Sequence, residues 1–374
     1  MERRTFLRTG FAAGAATIAP VPLQGMSWLF DPRHAQDGTI RLSSNENPLG
    51  LAPVARQAVL DGREEANRYP GASRRALLDV LAPYLDVPED RLFFGAGSTE
   101  MLRVAVQAWS APNARLVLAT PTFEDVPGYS RPFPYQVDAV PLTADYAHDL
   151  GRMREIVDSS AHPAIVYICN PNNPTGTLTS SADVDAWIRA SSDRTLFLVD
   201  EAYLEYANDP GYWSAQPWTA DRTNVIVVRT FSKIYAMAGM RLGYGIAHPK
   251  TVRRLQPFLT RNNPNHMAAV AAIASLGDSE LVGRSVGVNS RAKAILHGCL
   301  DDLGLEYLPT HTNFLMHRIS GELRTYIDRM AEAGIRVGRP FPPMLEYNRL
   351  SFGLPEEMER FAETLRGFRS RGWV

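Results

Sequence analysis

Val227-Val-Arg-Thr-Phe-Ser-Lys-Ile-Tyr-Ala-Met-Ala-Gly-Met-Arg-Leu-Gly-Tyr-Gly245 is the stretch on which the reading of this chain turns. Val225 and Ile226 lead into it, so four β-branched residues precede the first charge, the pattern of a buried strand. Arg229 is expected to close that run. A polar turn then presents Thr230, Ser232 and Lys233, with Arg241 eight positions after the lysine. A lysine at the end of a buried strand loses solvation, which lowers its pKa and frees the amine as a nucleophile. Two hydroxyls and an arginine nearby suit a phosphate. A surface lysine after an ordinary strand would look the same within this segment, and the rest of the chain has to separate the two.

Upstream, apolar runs alternate with helical patterns. Leu92 to Phe94, Leu116 to Ala119, Ala164 to Cys169, Thr195 to Val199 and Val225 to Val228 read as strands. Helical patterns run from Pro53 to about Ala66, from Arg74 to Leu85, and from the Gly95-Ala-Gly-Ser-Thr-Glu100 turn to Trp109. This alternation predicts an α/β fold with a mostly parallel sheet between helices. Past Gly245 the pattern turns mainly helical, through Met267 to Leu276 and Val286 to Leu303. A smaller α/β segment, from Glu306 onward, completes the chain.

Polar groups recur where these strands end: Pro121-Thr-Phe123, Asn170-Pro-Asn-Asn-Pro-Thr-Gly176, Asp200-Glu-Ala-Tyr203 and Lys233. Open α/β sheets bind ligands at that edge. The Gly95/Gly97 turn at a helix start would bring backbone N–H groups and a helix dipole to a phosphate, although an ordinary helix entry has the same look. Asp200, ending an apolar strand, needs a cationic partner, either a structural arginine or lysine or the ring nitrogen of a pyridinium. A Schiff-base lysine beside a phosphate site is what pyridoxal 5′-phosphate (PLP) requires. Tyr203 and Asn173 would reach the ring oxygen, and Phe123 offers a face for stacking; each alone is equally turn or core chemistry. Arg349, at the start of a strand-like run, would fork onto a substrate carboxylate or make a surface ion pair.

Bulk properties exclude several classes. The chain has 374 residues, enough for two domains, and a net charge of -1, which leaves no electrostatic footprint for nucleic acid or an anionic membrane. Two cysteines, Cys169 and Cys299, and eight scattered histidines give no metal-ligand spacing, so no metal is expected. At the start, Met1-Glu-Arg-Arg-Thr-Phe-Leu-Arg8 precedes a short apolar stretch from Phe11 to Ile18, too short to span a bilayer. It looks like a twin-arginine export signal, which predicts a periplasmic protein exported folded, or a cytoplasmic one if the signal is not used. The expected organisation is a signal region and linker over 1–36, an N-terminal segment over 37–70, a large domain over 71–270 and a small domain over 271–374.

Taken together, Ser44-Asn-Glu-Asn-Pro-Leu-Gly50, Arg68-Tyr-Pro70, Asn170 to Gly176, Asp200 to Tyr203, and Thr230-Phe-Ser-Lys233 with Gly239-Met-Arg-Leu-Gly243 resemble the fold-type-I PLP aminotransferases. Within these, the histidinol-phosphate aminotransferase branch is the nearest. The resemblance covers roughly residues 40 to 370. It implies that Lys233 bonds the cofactor and moves the proton, that Asp200 pairs with the ring nitrogen, and that Asn173 and Tyr203 bond the phenolic oxygen. It also implies that Phe123 stacks on the ring, and that Ser98, Thr99, Thr230, Ser232 and Arg241 hold the phosphate. Tyr69 would arrive from the second subunit of a homodimer, and Arg349 would bind the substrate carboxylate. The chain departs from the branch pattern in Gly334-Ile-Arg-Val-Gly-Arg339, where Gly338 stands at the usual arginine position and Arg339 follows it. The export signal is a second departure, because histidine biosynthesis is cytoplasmic.

The expected reaction is transfer of an amino group between an amino acid, histidinol phosphate-like or aromatic, and a 2-oxo acid. A PLP lyase or decarboxylase would use the same cofactor residues and is told apart by its products. A cofactor-binding regulator without turnover is disfavoured, since no helix-turn-helix segment precedes residue 40.

Overall fold

Every residue of Ala164–Cys169, Thr195–Asp200 and Val225–Thr230 is buried, which is the consequence of strands covered on both faces. These lie in a computed structural model that describes residues 38–374. The twin-arginine region falls outside the described residues. In chain order the first elements are β1 (Ile40–Arg41), α1 (Pro53–Gly62), α2 (Gly71–Leu85), β2 (Leu92–Gly95), α3 (Ser98–Ala108), β3 (Arg115–Thr120) and α4 (Asp125–Ser130). There follow β4 (Gln136–Pro141), α5 (Leu150–Asp158), β5 (Ala164–Cys169), α6 (Ser181–Ala190), β6 (Thr195–Asp200), β7 (Val225–Thr230) and β8 (Gly243–Ala247). The remainder is α7 (Pro249–Leu255), α8 (His266–Gly277), α9 (Leu281–Leu303), β9 (Phe314–Arg318), α10 (Leu323–Glu332), β10 (Ile335–Arg336), β11 (Tyr347–Ser351) and α11 (Pro355–Ser370).

The central sheet has seven strands in the order β2-β8-β7-β6-β5-β3-β4. Only β8 runs against its neighbours, pairing antiparallel with both β2 and β7. Side chains alternate across it with period two. Val166, Ile168, Phe197, Val199, Val225 and Val227 face one core with Ala268, Ala269 and Ala272 of α8. Ile165, Tyr167, Leu196, Leu198, Ile226 and Val228 face the other with Met101, Leu102 and Ala105 of α3. A separate core gathers Leu296 and Leu300 of α9, Leu315, Leu350 and Phe361. Leu281, at the other end of α9, belongs to the core of the large sheet. β9 and β11 form an antiparallel pair beside the separate core.

Three elements differ from the expectations. Arg229 does not close β7; the strand continues through Thr230 with Arg229 buried. Glu201 makes this possible, since its carboxylate lies 2.9 Å from the Arg229 guanidinium and both groups bond Ser214 Oγ. β4 and β8 were not anticipated. β4 is largely exposed and interrupted by Gln136 and Asp138, and β8 is glycine-rich, so neither carries a long apolar run. The early chain also returns to the far end: β1 pairs in parallel with β10, and Ser351 N–H donates to the Leu42 carbonyl at 2.9 Å. That pairing carries residues 43–47 across the carboxyl edge of the large sheet.

Candidate active site

At the carboxyl edge, β2 breaks into the Gly95–Gly97 turn and α3 begins at Ser98. Gly97 has φ +80° and ψ 166°, a backbone conformation that favours glycine, and a Cβ there would also push the end of the Arg241 side chain out of the cradle. Glu100 fixes the turn, accepting from Ala96 N–H at 2.6 Å, Thr260 N–H at 3.1 Å and Asn263 Nδ2 at 2.6 Å. Arg241 leans over α3, donating to Thr99 Oγ1 at 3.3 Å, the Ala96 carbonyl at 3.4 Å, the Ala238 carbonyl at 2.9 Å and Ser232 Oγ at 3.5 Å. Thr230 Oγ1 accepts from Ser232 N–H at 3.0 Å and so shapes the other side. The acceptors of Arg241 are all neutral. A helix N-terminus, three hydroxyls and a guanidinium paired with no carboxylate among the described residues make a site for a phosphate.

Asp200 ends β6 at 4% exposure. Its oxygens accept from Tyr167 O–H at 3.0 Å and Ala202 N–H at 3.2 Å, and no cation forms an ion pair with it among the described residues. Burial lifts its carboxyl to about 6, against the pull of Tyr167. A carboxylate held this way is completed by a protonated ring nitrogen. Lys233, one strand along, donates to the Asn45 carbonyl at 3.0 Å and lies 5.6 Å from the Tyr203 ring. Burial first, then Arg349 and Arg241, bring its amine down to about 8, so its uncharged form is far more available near neutral pH than that of an ordinary lysine, though still the minority. Tyr203 O–H is within reach of the same group of atoms, accepting from Asn45 Nδ2 at 2.9 Å. Phe123, half-buried, packs at the edge of the core carrying β3 and β5. The residues present therefore fit PLP at its phosphate, its ring nitrogen and its aldehyde carbon.

Arg349 enters from β11. It donates to Asn173 Oδ1 at 2.8 Å and the Ser43 carbonyl at 3.4 Å, and its guanidinium lies 4.4 Å from the Phe341 ring and 5.3 Å from the Phe314 ring. Its Nε is buried with no hydrogen-bond partner, and burial lowers the guanidinium to about 10. An anion delivered here would satisfy it. Arg339 sits against the same Phe341 ring at 4.1 Å but pairs with Glu124. Tyr69 is the one predicted site residue placed apart, its side chain 85% exposed between α1 and α2.

Sequence reasoning passed over Tyr167, Asn45, Glu201 with Arg229, and Glu124. Tyr167 was findable, since period two along β5 puts it on the Cys169 face, and Cys169 pairs with Asp200. Asn45 lay within the quoted turn, but its contacts depend on the β1–β10 pairing. The same holds for Glu124, whose partner is more than two hundred residues away.

The comparisons agree with this geometry. The aminotransferase class I and II family model matches residues 37–365. The histidinol-phosphate aminotransferase of Moorella thermoacetica is 35% identical, aligned over 87% of this chain and 84% of its own. The aromatic amino acid aminotransferase of Thermobifida fusca is 34% identical over 88% and 90%. Among solved structures, histidinol-phosphate aminotransferase from Sinorhizobium meliloti in complex with pyridoxal-5′-phosphate is 26% identical, with TM-score 0.83, covering 89% of this chain and 91% of its own. With a lysine, a buried aspartate and a phosphate cradle at one edge of a fold-type-I sheet, the chain belongs to the class I and II aminotransferases and is a PLP-dependent enzyme.

Proposed function

We propose that this aminotransferase moves the amino group of an aromatic or histidinol phosphate-like donor to a 2-oxo acid, with Lys233, Asp200 and Arg349 as the residues that carry the reaction. The observation that supports this most directly is Arg349, whose buried, unsatisfied Nε is gathered with Asn173 and the Lys233 amine at one strand edge. The names of the relatives support both donor classes. PLP, when bound, supplies an electron sink for the bonds at the donor Cα. Arg349 binds the donor's acid group and Asn173 sets the guanidinium's orientation. Lys233, with an amine near 8, takes the Cα proton and returns it. Asp200 holds a positive charge at the ring nitrogen. Tyr203 and Asn173 would bond the ring oxygen, Phe123 would cover the ring face, and Ser98, Thr99, Thr230, Ser232 and Arg241 would hold the phosphate. Arg339 shapes the donor side of the site.

The working unit in this reading is a homodimer, with Tyr69 completing the phosphate site of the second copy. Its exposure, and that of Leu49, Val54 and Leu60 on the same segment, supports that arrangement. The division into segments at about residues 37, 71 and 271 and the export by the twin-arginine route belong to the same proposal. No helix among the described residues is long and apolar enough to cross a membrane.

The test is product analysis. PLP-loaded protein is incubated with L-phenylalanine, L-tyrosine or L-histidinol phosphate and 2-oxoglutarate. Glutamate formed in step with one donor's oxo product supports the proposal. Carbon dioxide or an elimination product without glutamate would replace it with lyase or decarboxylase chemistry.

A further inference from the structure

Residues 45 to 47 tie the carboxyl edge of the large sheet to the β9–β11 pair. Asn47 Nδ2 donates to the Ile234 carbonyl and to Ser285 Oγ, both at 2.9 Å, and Asn313 Nδ2 donates to the Glu46 carbonyl at 3.1 Å. Asn45, itself buried, makes three bonds into the site. Its carbonyl accepts from the Lys233 amine at 3.0 Å, its Oδ1 accepts from the Ser351 hydroxyl at 3.0 Å, and its Nδ2 donates to the Tyr203 hydroxyl at 2.9 Å. Ser351 is buried on β11, two residues beyond Arg349.

The Tyr203 ring is buried and stands edge-on to Phe314, with centroids 5.2 Å apart. Burial holds its phenol well above the usual range, so the hydroxyl keeps its hydrogen. A phenolic hydroxyl both donates and accepts, and its hydrogen prefers the plane of the ring, on one side or the other. The orientation of the Asn45 amide decides the side. With Oδ1 toward Ser351, the serine hydrogen has its acceptor, and Nδ2 occupies a lone pair of the tyrosine oxygen. The tyrosine hydrogen is then turned away from Asn45. With the amide reversed, Oδ1 would take the tyrosine hydrogen. Ser351 Oγ has no other hydrogen-bond partner among the described residues, so its hydrogen would be buried and unpaired. The network therefore leaves the Tyr203 hydrogen as the one to be given away.

Resting on the cofactor placement given above, we propose that Asn45 is a positioning residue: held by Ser351, its amide turns the Tyr203 hydroxyl to donate to the ring oxygen of PLP and not to the protein. A hydroxyl that already accepts a bond donates a stronger one. A donor on that oxygen favours its negative form, and so lowers the pH at which the proton it shares with the Lys233 nitrogen is lost.

The test is a pH titration of the visible absorption of PLP-loaded protein, without substrate. It compares wild type, Tyr203→Phe, Asn45→Leu and Ser351→Ala, and each of the last two combined with Tyr203→Phe. Tyr203→Phe should raise the midpoint by about one pH unit, the scale of one hydrogen bond to a charged group. Asn45→Leu, close in size and without polar atoms, should raise it by about half a unit. Ser351→Ala frees the amide to reverse and keeps the main-chain bond to Leu42, so it should raise the midpoint as well. It supplies the same test if Asn45→Leu does not fold. Neither change should add to Tyr203→Phe, because an effect carried by the hydroxyl vanishes with it, whereas a structural loosening of residues 43–47 persists. A midpoint unmoved in either variant, or a shift that remains in full beside Tyr203→Phe, would overturn the proposal. An unmoved midpoint in Tyr203→Phe would overturn the assignment of Tyr203 to the ring oxygen together with the role of Asn45. Protein that takes up no PLP would overturn the reading on which both rest.

Discussion

The two ends of the site are built in different ways. The phosphate end comes from two short stretches, 95–100 and 230–241, each following directly from a strand of the large sheet. Its geometry is set by main chain: a helix terminus, a glycine at positive φ, and an arginine that bonds backbone and hydroxyl oxygens. The substrate end draws on residues 43, 124, 173, 314, 339, 341 and 349, brought together by long loops and the β9–β11 pair. Its geometry is set by side chains packed on one another. The first construction fixes a cofactor that every reaction shares. The second leaves the donor adjustable through single side chains.

The sharpest division between the ends is chemical, and Lys233 marks it. Lys233→Ala should lower kcat at least about 10⁴-fold with any donor, measured by glutamate formation, since both proton transfers lose their carrier. The folded pKa of about 8 lies below the usual 10.5, so this lysine contributes stability above about pH 10.5 that is lost as pH falls through 8. At pH 7 it is a charged group in a poor environment. The cofactor-free variant should therefore melt higher than wild type, by differential scanning fluorimetry, and a lower melting temperature would mean that lost folding contributes to lost activity.

At the substrate end, Arg349→Lys keeps the charge and loses the two-pronged donor. Its kcat/KM for the amino acid donor should fall about 10²-fold through KM, with the affinity for PLP unchanged. Equal losses in donor and cofactor binding would erase the distinction between the two ends.

The same contrast decides what could be read without coordinates. Asp200, Lys233 and the glycine turn announce themselves because each ends an apolar strand, and strand ends at one edge converge whatever the loops do. Fold class follows from the same alternation. Arg229 misled because a charge in an apolar run normally closes it, and only the Cys169–Asp200–Val228 register brings Glu201 beside it. Asn45 and Glu124 were invisible as site residues because their neighbours lie 158 and 215 positions away, at Tyr203 and Arg339. Sequence periodicity carries no information at that range.

Asp200 supplies a test of the phosphate and ring end that needs no substrate. Its folded pKa of about 6 lies above the usual 3.8, so it contributes stability that is full below about pH 3.8 and is lost as pH rises through 6. Cofactor-free wild type should lose on the order of 3 kcal/mol across that window relative to Asp200→Asn, measured by urea unfolding. Addition of PLP should remove most of the difference, because the ring nitrogen supplies the missing cation. A pH dependence that PLP leaves untouched would separate Asp200 from the cofactor.

The smallest effect concerns Tyr69, a predicted cofactor residue that a single chain leaves 85% exposed and away from the other site residues. In the dimer proposed above its hydroxyl donates to the phosphate, one charge-assisted bond among several. Tyr69→Phe removes only that oxygen and keeps the ring, so the dimer interface should hold. The dissociation constant for PLP should rise about tenfold, the scale of one hydrogen bond to a charged group, with sedimentation unchanged. If Tyr69 instead serves only to pack the interface, the Phe variant should bind PLP as well as wild type, and Tyr69→Ala should weaken the dimer. The outcome places the residue either with the backbone-built phosphate end, as a contribution from a second chain, or with the surface that joins two copies.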